Sequence, residues 1–402
     1  MRRRTVVSRE ITRRNPVRSD GKRTYEKLIE SALSLFSEKG YHNVSVSMIA
    51  KKSLVKTATF YQYFGGKDVI YKTILERAFD AFKAGMSDIP FSTREKFVEK
   101  FVRSYLDFYI SQPLFHRILH EGVYIDRSMF KRIEKLFTEL IEKSQGVSNR
   151  LKSAAIRWFL TGPVRFVSIF KSISGDYTIS EKLTAELIDF ALRGIDPDEY
   201  EMNPEVLKMN VEPLRIEVSS TRMRLLQSAE KLFGSKGYRH TMILDIARGA
   251  GVAKGTFYIY FDGKKQILEE LVTTTNRALR ITLLSAIRKF QDRRDAEIAG
   301  YNAFVKFFML HPKMYHIVRE TEFFYPTISQ DYYQRILDSY LKPLREAISS
   351  NMFRPFNVEH LALFLMGIGH FMGEDMVLRR KFTHDDFAIC LKYLSKLLYK
   401  GV

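Results

Sequence analysis

Two short stretches of the chain carry side chains suited to the edges of a nucleic-acid duplex. One reads Lys56-Thr57-Ala58-Thr59-Phe60-Tyr61-Gln62-Tyr63, the other Ala253-Lys254-Gly255-Thr256-Phe257-Tyr258-Ile259-Tyr260. A lysine ammonium can donate to guanine O6 and N7, and a threonine can touch a thymine methyl or hydrogen-bond a base. Lys56, Thr57 and Thr59 in the first stretch, and Lys254, Gly255 and Thr256 in the second, are the candidates for base edges. The formal net charge of +19 favours polyanionic partners. An arm ahead of the first stretch, residues 1–22, adds Arg2, Arg3, Arg4, Arg9, Arg13, Arg14 and Arg18, with Arg23 just beyond it. Such an arm either lies in a minor groove, whose potential attracts arginine, or is a solvated basic tail. The second stretch has only Arg222 and Arg224 in the corresponding place.

Other chemistries find little support. There is no nucleophile motif, Gly-rich phosphate loop or paired cysteine cluster, so no enzyme and no cofactor are expected. His116 and His120 stand four apart, as do His370 and Glu374, a spacing that metal sites use. The counterparts of the first pair are Tyr315 and Arg319, so that spacing is not repeated and no metal is expected. The one cysteine, Cys390, allows no internal disulfide and fits a reducing cytoplasm. The apolar run Leu361–Gly373 is short for a membrane span, and the Arg-rich N-terminus lacks the apolar run of a signal peptide; no membrane partner is expected.

The elements that position the two stretches come from a repeat. Shifted by 197 residues, Thr24–Tyr71 lies over Thr221–Leu268 without a gap. Lys39-Gly40-Tyr41 meets Lys236-Gly237-Tyr238, Ile49-Ala50 meets Ile246-Ala247, and Thr59-Phe60-Tyr61 meets Thr256-Phe257-Tyr258. The similarity continues as Phe108…Pro113…Ile118…Glu121 against Phe307…Pro312…Ile317…Glu320, and as Gly162…Phe166 against Gly367…Phe371. Between the repeats, residues 196–219 hold Pro197, Pro204 and Pro213 and seven acids, and read as a connector able to span at most roughly 80 Å.

Within each repeat the apolar period is helical. Leu28, Ala32, Leu35 and Phe36 form one stripe, Gly40 suits a left-handed helix end, and Ser45 suits the N-cap of a second short helix. A tight turn at Leu54-Val55 or Gly251-Val252 leads into a third helix. Two short helices joined by such a turn make a helix-turn-helix, whose second helix can enter the major groove. Phe60, Phe64, Phe257 and Phe261 are expected to pack inward.

Ile246-Ala247-Arg248-Gly249-Ala250-Gly251-Val252-Ala253-Lys254-Gly255-Thr256-Phe257-Tyr258-Ile259-Tyr260-Phe261, followed by Lys264, resembles the signature of TetR-family repressors, and the first repeat resembles it less closely. The resemblance implies an all-α chain of two tandem units. Each would hold a three-helix DNA-binding domain (23–72 and 220–269) and a helical ligand-binding and dimerisation domain (73–195 and 270–402). Tyr61, Tyr258, Lys67 and Lys264 match positions that contact phosphate in the family; Tyr63 and Tyr260 either do the same or pack inward. The partners implied are double-stranded DNA and a small apolar or aromatic inducer. Its candidate contacts are Tyr105, Tyr109, Trp158 and Phe166 in the first unit, and Phe304, Phe308, Phe324 and His370 in the second, although aromatics at helical spacing also make ordinary core.

In the family the last two helices form the dimer interface. Here they are expected at about 149–173 and 180–193, with 357–380 and 384–400, as an intramolecular four-helix bundle imitating a dimer, with further self-association open. The first unit departs from the pattern: Leu54 stands where the turn wants glycine, and Ala58 stands opposite Gly255. The expected function is a cytoplasmic, ligand-responsive repressor reading an asymmetric pseudo-palindrome. The alternative is an architectural or protein-interaction module that binds DNA nonspecifically.

Overall fold

The structure, a computed structural model, describes residues 19–211 and 220–402. The basic arm up to Arg18, and Pro213 with the rest of 212–219, lie outside the described residues. The described residues are all-α, 78% of them helical. The first repeat comprises α1 (Ser19–Lys39), α2 (Val46–Lys52), α3 (Thr57–Tyr63), α4 (Lys67–Gly85), α5 (Arg94–Ser111), α6 (Pro113–Ile125), α7 (Arg127–Gln145), α8 (Arg150–Ile173) and α9 (Glu181–Arg193). A short α10 (Glu205–Lys208) lies in the connector. The second repeat runs α11 (Thr221–Lys236), α12 (Ile243–Gly249), α13 (Lys254–Tyr260), α14 (Lys264–Ile287), α15 (Arg293–Leu310), α16 (Pro312–Phe324), α17 (Pro326–Ser349), α18 (Val358–Gly373) and α19 (His384–Lys400).

Local signals account for many of the boundaries. Ser45, Asn149, Ser180 and Asn357 accept hydrogen bonds from the first backbone amides of the helices they cap. Pro113 and Pro312 open α6 and α16, where a missing amide proton costs nothing. Gly40 and Gly237 follow α1 and α11 with φ of 74° and 82°.

Two compact units result, and they do not follow the repeat. One runs to Gly85 and takes in Ser111–Ile133; the other holds Met86–Ile110 and Glu134–Val402. In the first, α1, α4 and α6 share a core with Leu28, Ile74 and Ile118 fully buried. In the second, α8 and α9 of the first repeat pack against α18 and α19 of the second. α8 is buried almost all round, as a helix inside a bundle must be. The contacts are reciprocal. Ile195 N donates to Leu398 O (2.8 Å), and Val402 N donates to Ala191 O (3.0 Å).

α18 continues into a π-turn, Glu374–Leu378. The combined segment Val358–Leu378 is longer than the apolar run suggests and could cross a bilayer by length and composition, but 94% of its most apolar window is buried among the other helices. The π-turn carries Asp375 into a buried ion cluster: Arg157 Nη2 lies 2.6 Å away, Trp158 Nε1 donates at 2.7 Å, and Lys381 Nζ stands at 3.1 Å. Burial opposes the Asp375 charge, yet Arg157 and Lys381 outweigh it and hold the carboxyl at about 2.

The described part of the connector is no free tether. Asp196 is buried, bound by Arg294 (2.6 Å) and by the amides of Asp198 and Tyr200. Asp295 on α15 accepts from Tyr200 Oη and Asn203 N, and Asn302 donates to Val206 O. Residues 196–211 are thus strapped along α15, which shortens the reach that the extended-chain limit allows.

Candidate nucleic-acid interface

Each helix-turn-helix is held from behind by the same small core. Phe60 and Phe257 are fully buried, and Phe64 and Phe261 nearly so, which fixes which face of α3 and α13 points outward. Tyr25 stacks on Phe64 at 5.0 Å; its counterpart Arg222 covers Phe261 at 4.9 Å as a cation over a ring. Arg222 also pairs with Glu270 and donates to Tyr260 O, so its guanidinium is engaged within the domain, whereas Arg23 is exposed.

On the outward face, Lys56, Thr57, Lys254 and Gly255 are exposed, and Thr59 and Thr256 are half-buried. Lys56 is the N-cap of α3, while Lys254 is the first residue of α13, one position further on. A cation at a helix N-terminus is disfavoured by the helix dipole. These lysines do not serve helix stability, which suits a role toward an external anion. Tyr61 and Tyr258, 55% and 49% exposed, lean edge-on against Phe60 and Phe257. Tyr63 is half-buried with its ring edge toward Tyr25, and Tyr260 is half-buried too.

Lys67 and Lys264, expected at phosphate, each make contacts within their own domain. Lys67 Nζ donates to Tyr41 O at 2.9 Å and sits 4.2 Å over the Tyr41 ring. Lys264 Nζ donates to Tyr238 O (2.7 Å) and Thr241 O (3.0 Å), 4.3 Å from the Tyr238 ring. Both ammoniums close the loop after the first helix, because that loop offers carbonyls and an aromatic face within reach of the first residue of α4 or α14. A carboxylate completes each clamp. Glu121 of α6 accepts from Tyr41 N with both oxygens (2.9 and 3.0 Å), and Glu320 of α16 accepts from Tyr238 N at 3.3 Å. Burial pushes the Glu121 carboxyl up to about 7, and it raises Glu320 as well. The sequence repeat aligned these glutamates without disclosing their task; an acid repeated inside an apolar helix face was the available signal.

The turns differ as the residues imply. Gly251 has φ of 70°, and Leu54 is driven to 57° with its side chain 82% exposed. Gln62 and Ile259 are also exposed on the recognition helices, Ile259 by 76%, and neither was singled out from the sequence.

Residues 28–74 and 225–271 each match the bacterial regulatory proteins of the tetR family. The chain thus carries a tetR-family helix-turn-helix region in each of its two repeats. Over 57 residues the chain is 37% identical to the biofilm operon icaADBC HTH-type negative transcriptional regulator IcaR of Staphylococcus epidermidis, covering 14% of the chain and 31% of that protein. It is 39% identical over 57 residues to the HTH-type transcriptional regulator HbdR of Aromatoleum sp., covering 14% and 25%. The chain thus spans less than a third of the length of these curated relatives. The solved fatty acid degradation regulator FadR of Bacillus halodurans is 18% identical, over 46% of this chain and 97% of that one, at a TM-score of 0.40.

Behind the second helix-turn-helix domain lies a cavity of about 100 Å³ among α14 to α18, with Phe166 of α8 on its wall. Of the candidate ligand contacts it brings together Phe166, Phe304 and His370. Phe308 stands behind it, packed on Phe304 and Tyr315. Phe324 lies beside Tyr238 and Arg239 of the DNA-binding domain. Trp158 belongs to the Asp375 cluster; Tyr105 is buried beside Phe137, and Tyr109 donates to Asp176 O. These five were selected as aromatics at helical spacing, and they serve as core or as hydrogen-bond anchors.

Proposed function

We propose that the chain is a sequence-specific transcriptional regulator of the repressor type, reading an asymmetric, imperfectly palindromic operator as a single-chain pseudo-dimer and released by a small ligand. The observation that carries this reading is the pair of recognition helices. α3 and α13 share length, buried rings and outward tyrosines, yet present Lys56-Thr57-Ala58 and Ala253-Lys254-Gly255 at equivalent positions. Two like helices with unlike base-facing residues suit two unlike half-sites, whereas a symmetric dimer reads identical ones. The reciprocal backbone bonds between α9 and the end of α19 support the pseudo-dimer. The negative regulator IcaR among the relatives supports repression. Buried Cys390 suits a reducing cytoplasm.

Selection of bound duplexes from a random pool, at physiological salt, tests this reading. Two unlike half-sites about one helical turn apart are expected, with Tyr61→Ala weakening one and Tyr258→Ala the other. Identical half-sites would overturn the asymmetry. The architectural alternative draws on Leu54, whose left-handed backbone strains the first turn; an unenriched pool with binding that collapses with salt would favour it.

A further inference from the structure

The cavity of the second repeat has features that the general reading leaves unused. The charged groups on its wall are already matched: Arg293 pairs with Glu297, and Arg319 pairs with Glu322 just behind the wall. Three of the phenols on the wall are hydrogen-bonded as well. Tyr301 Oη donates to Leu365 O and Tyr315 Oη to His370 O, both at 3.0 Å, and Tyr333 Oη donates to Glu322. Most of what faces the space is ring carbon and aliphatic surface. An ion entering it would compete with a buried pair without replacing its partner, which is unfavourable. In size the space is comparable with the roughly 150 Å³ apolar cavity that takes up benzene in an engineered protein.

The first repeat is built otherwise at the matching places. α5 and α15 align end to end, as do the last turns of α8 and the π-turn that follows α18. Gly300, on the cavity wall, has Phe101 as counterpart, 1% exposed and packed between Phe97 and Phe137. Gly369, also on the wall, has Val164, fully buried. Two side chains thus occupy in the first repeat what two glycines leave open in the second. The wall is nonetheless shared: Phe166 of α8, from the first repeat, sets its ring edge against Tyr333 (5.2 Å, 83°) and lies 5.0 Å from His370.

We propose that the chain has a single effector site, in its second repeat with one wall from the first, and that this site takes an uncharged, apolar, single-ring compound. The proposal rests on the ligand-responsive reading above and replaces the two equivalent sites of a symmetric dimer by one. A ligand there presses on α8 through Phe166, so both repeats sense one event. On the other side, Arg319 faces the cavity while its neighbour Glu320 holds the Tyr238 amide, so the same helix, α16, touches both the site and the second DNA-binding domain.

Calorimetric titration of the intact chain tests this, with 4-ethylphenol as the neutral probe and 4-ethylbenzoate and 4-methylbenzylammonium as ions of similar outline. One mole of 4-ethylphenol per chain is expected, with both ions weaker by roughly tenfold or more. Gly369→Val introduces the first-repeat residue at a point where a Cβ meets only the Tyr301 ring, at 3.5 Å. It should abolish phenol binding while helix content and DNA affinity stay at wild-type level. Two sites per chain, preference for either ion, undiminished binding in a folded Gly369→Val, or no 4-ethylphenol binding at millimolar concentration would each overturn the proposal. Should Gly369→Val fail to fold, the stoichiometry and ion preference of the wild type decide. DNA binding is measured separately: its loss in the wild type, alongside one-site phenol binding, counts against the regulatory reading alone.

Discussion

Gly162 and Gly367 meet backbone to backbone where α8 crosses α18. A Cβ built on Gly162 would lie 2.8 Å from Gly367 O, and one on Gly367 would lie 2.6 Å from Gly162 O. The contact is reciprocal, and backbone cannot rotate away as a side chain can. Gly162→Ala or Gly367→Ala is expected to destabilise the bundle by about 1–3 kcal/mol, despite the better helix propensity of alanine. Gly85→Ala, with nothing within 4 Å, is the control. Urea denaturation of the three variants checks this; equal midpoints would show that α8 and α18 can separate at no cost.

Leu54 holds a left-handed backbone with its side chain in solvent, so a smaller residue loses no packing there. Leu54→Gly should stabilise the first DNA-binding domain by about 1 kcal/mol, and Gly251→Leu should destabilise the second by a similar amount. Opposite shifts in melting temperature are the expected signature.

Lys67 and Lys264 are assigned to loop closure, and salt dependence separates that role from phosphate contact. Lys67→Met is expected to lower stability by about 1–2 kcal/mol, because it leaves the Tyr41 carbonyl without its charged donor. The slope of log K against log salt for operator binding should stay unchanged. A slope shallower by about 0.9 would restore the phosphate contact that the family resemblance implied. Tyr61→Phe should do the converse, leaving stability intact and weakening DNA binding.

Glu121 makes the first domain sensitive to pH. Burial raises its folded carboxyl from 4.5 to about 7, so the folded state holds a proton that the unfolded chain releases. The stability gained is full below about pH 4.5 and is lost as pH rises through 7, a difference on the order of 3 kcal/mol. Glu121→Gln keeps an acceptor for the Tyr41 amide and does not titrate. Relative to this variant, the wild type should lose stability between pH 5 and about 8.5; parallel curves would remove Glu121 from the pH response.

The ion cluster around Asp375 should tolerate little. Asp375→Asn leaves buried Arg157 with only the more distant Glu134 carboxylate, at 3.6 Å, and a loss of about 3 kcal/mol is expected in chemical denaturation.

The helix-turn-helix was legible almost residue by residue, because its determinants are local: an apolar stripe, an N-cap, a turn that wants positive φ, and buried phenylalanines at fixed spacing. The unbroken 197-residue register disclosed the duplication, and Leu54 disclosed its own strain. The four bundle helices were placed to within a residue or two at most ends for the same reason; the end of α18 differs, since a π-turn follows Gly373. What tertiary structure alone decided was the partner of each side chain. Lys67 and Lys264 read from sequence as cations at a helix start, and only the path of the loop after the first helix brings the Tyr41 and Tyr238 carbonyls to them. Trp158, Tyr105 and Phe166 are all aromatics on apolar helix faces, yet of the three Phe166 alone lines the cavity of the second repeat. Period and composition describe a face, and a cavity depends on what the opposing helices leave unfilled; Gly300 and Gly369 mark such a place where Phe101 and Val164 do not.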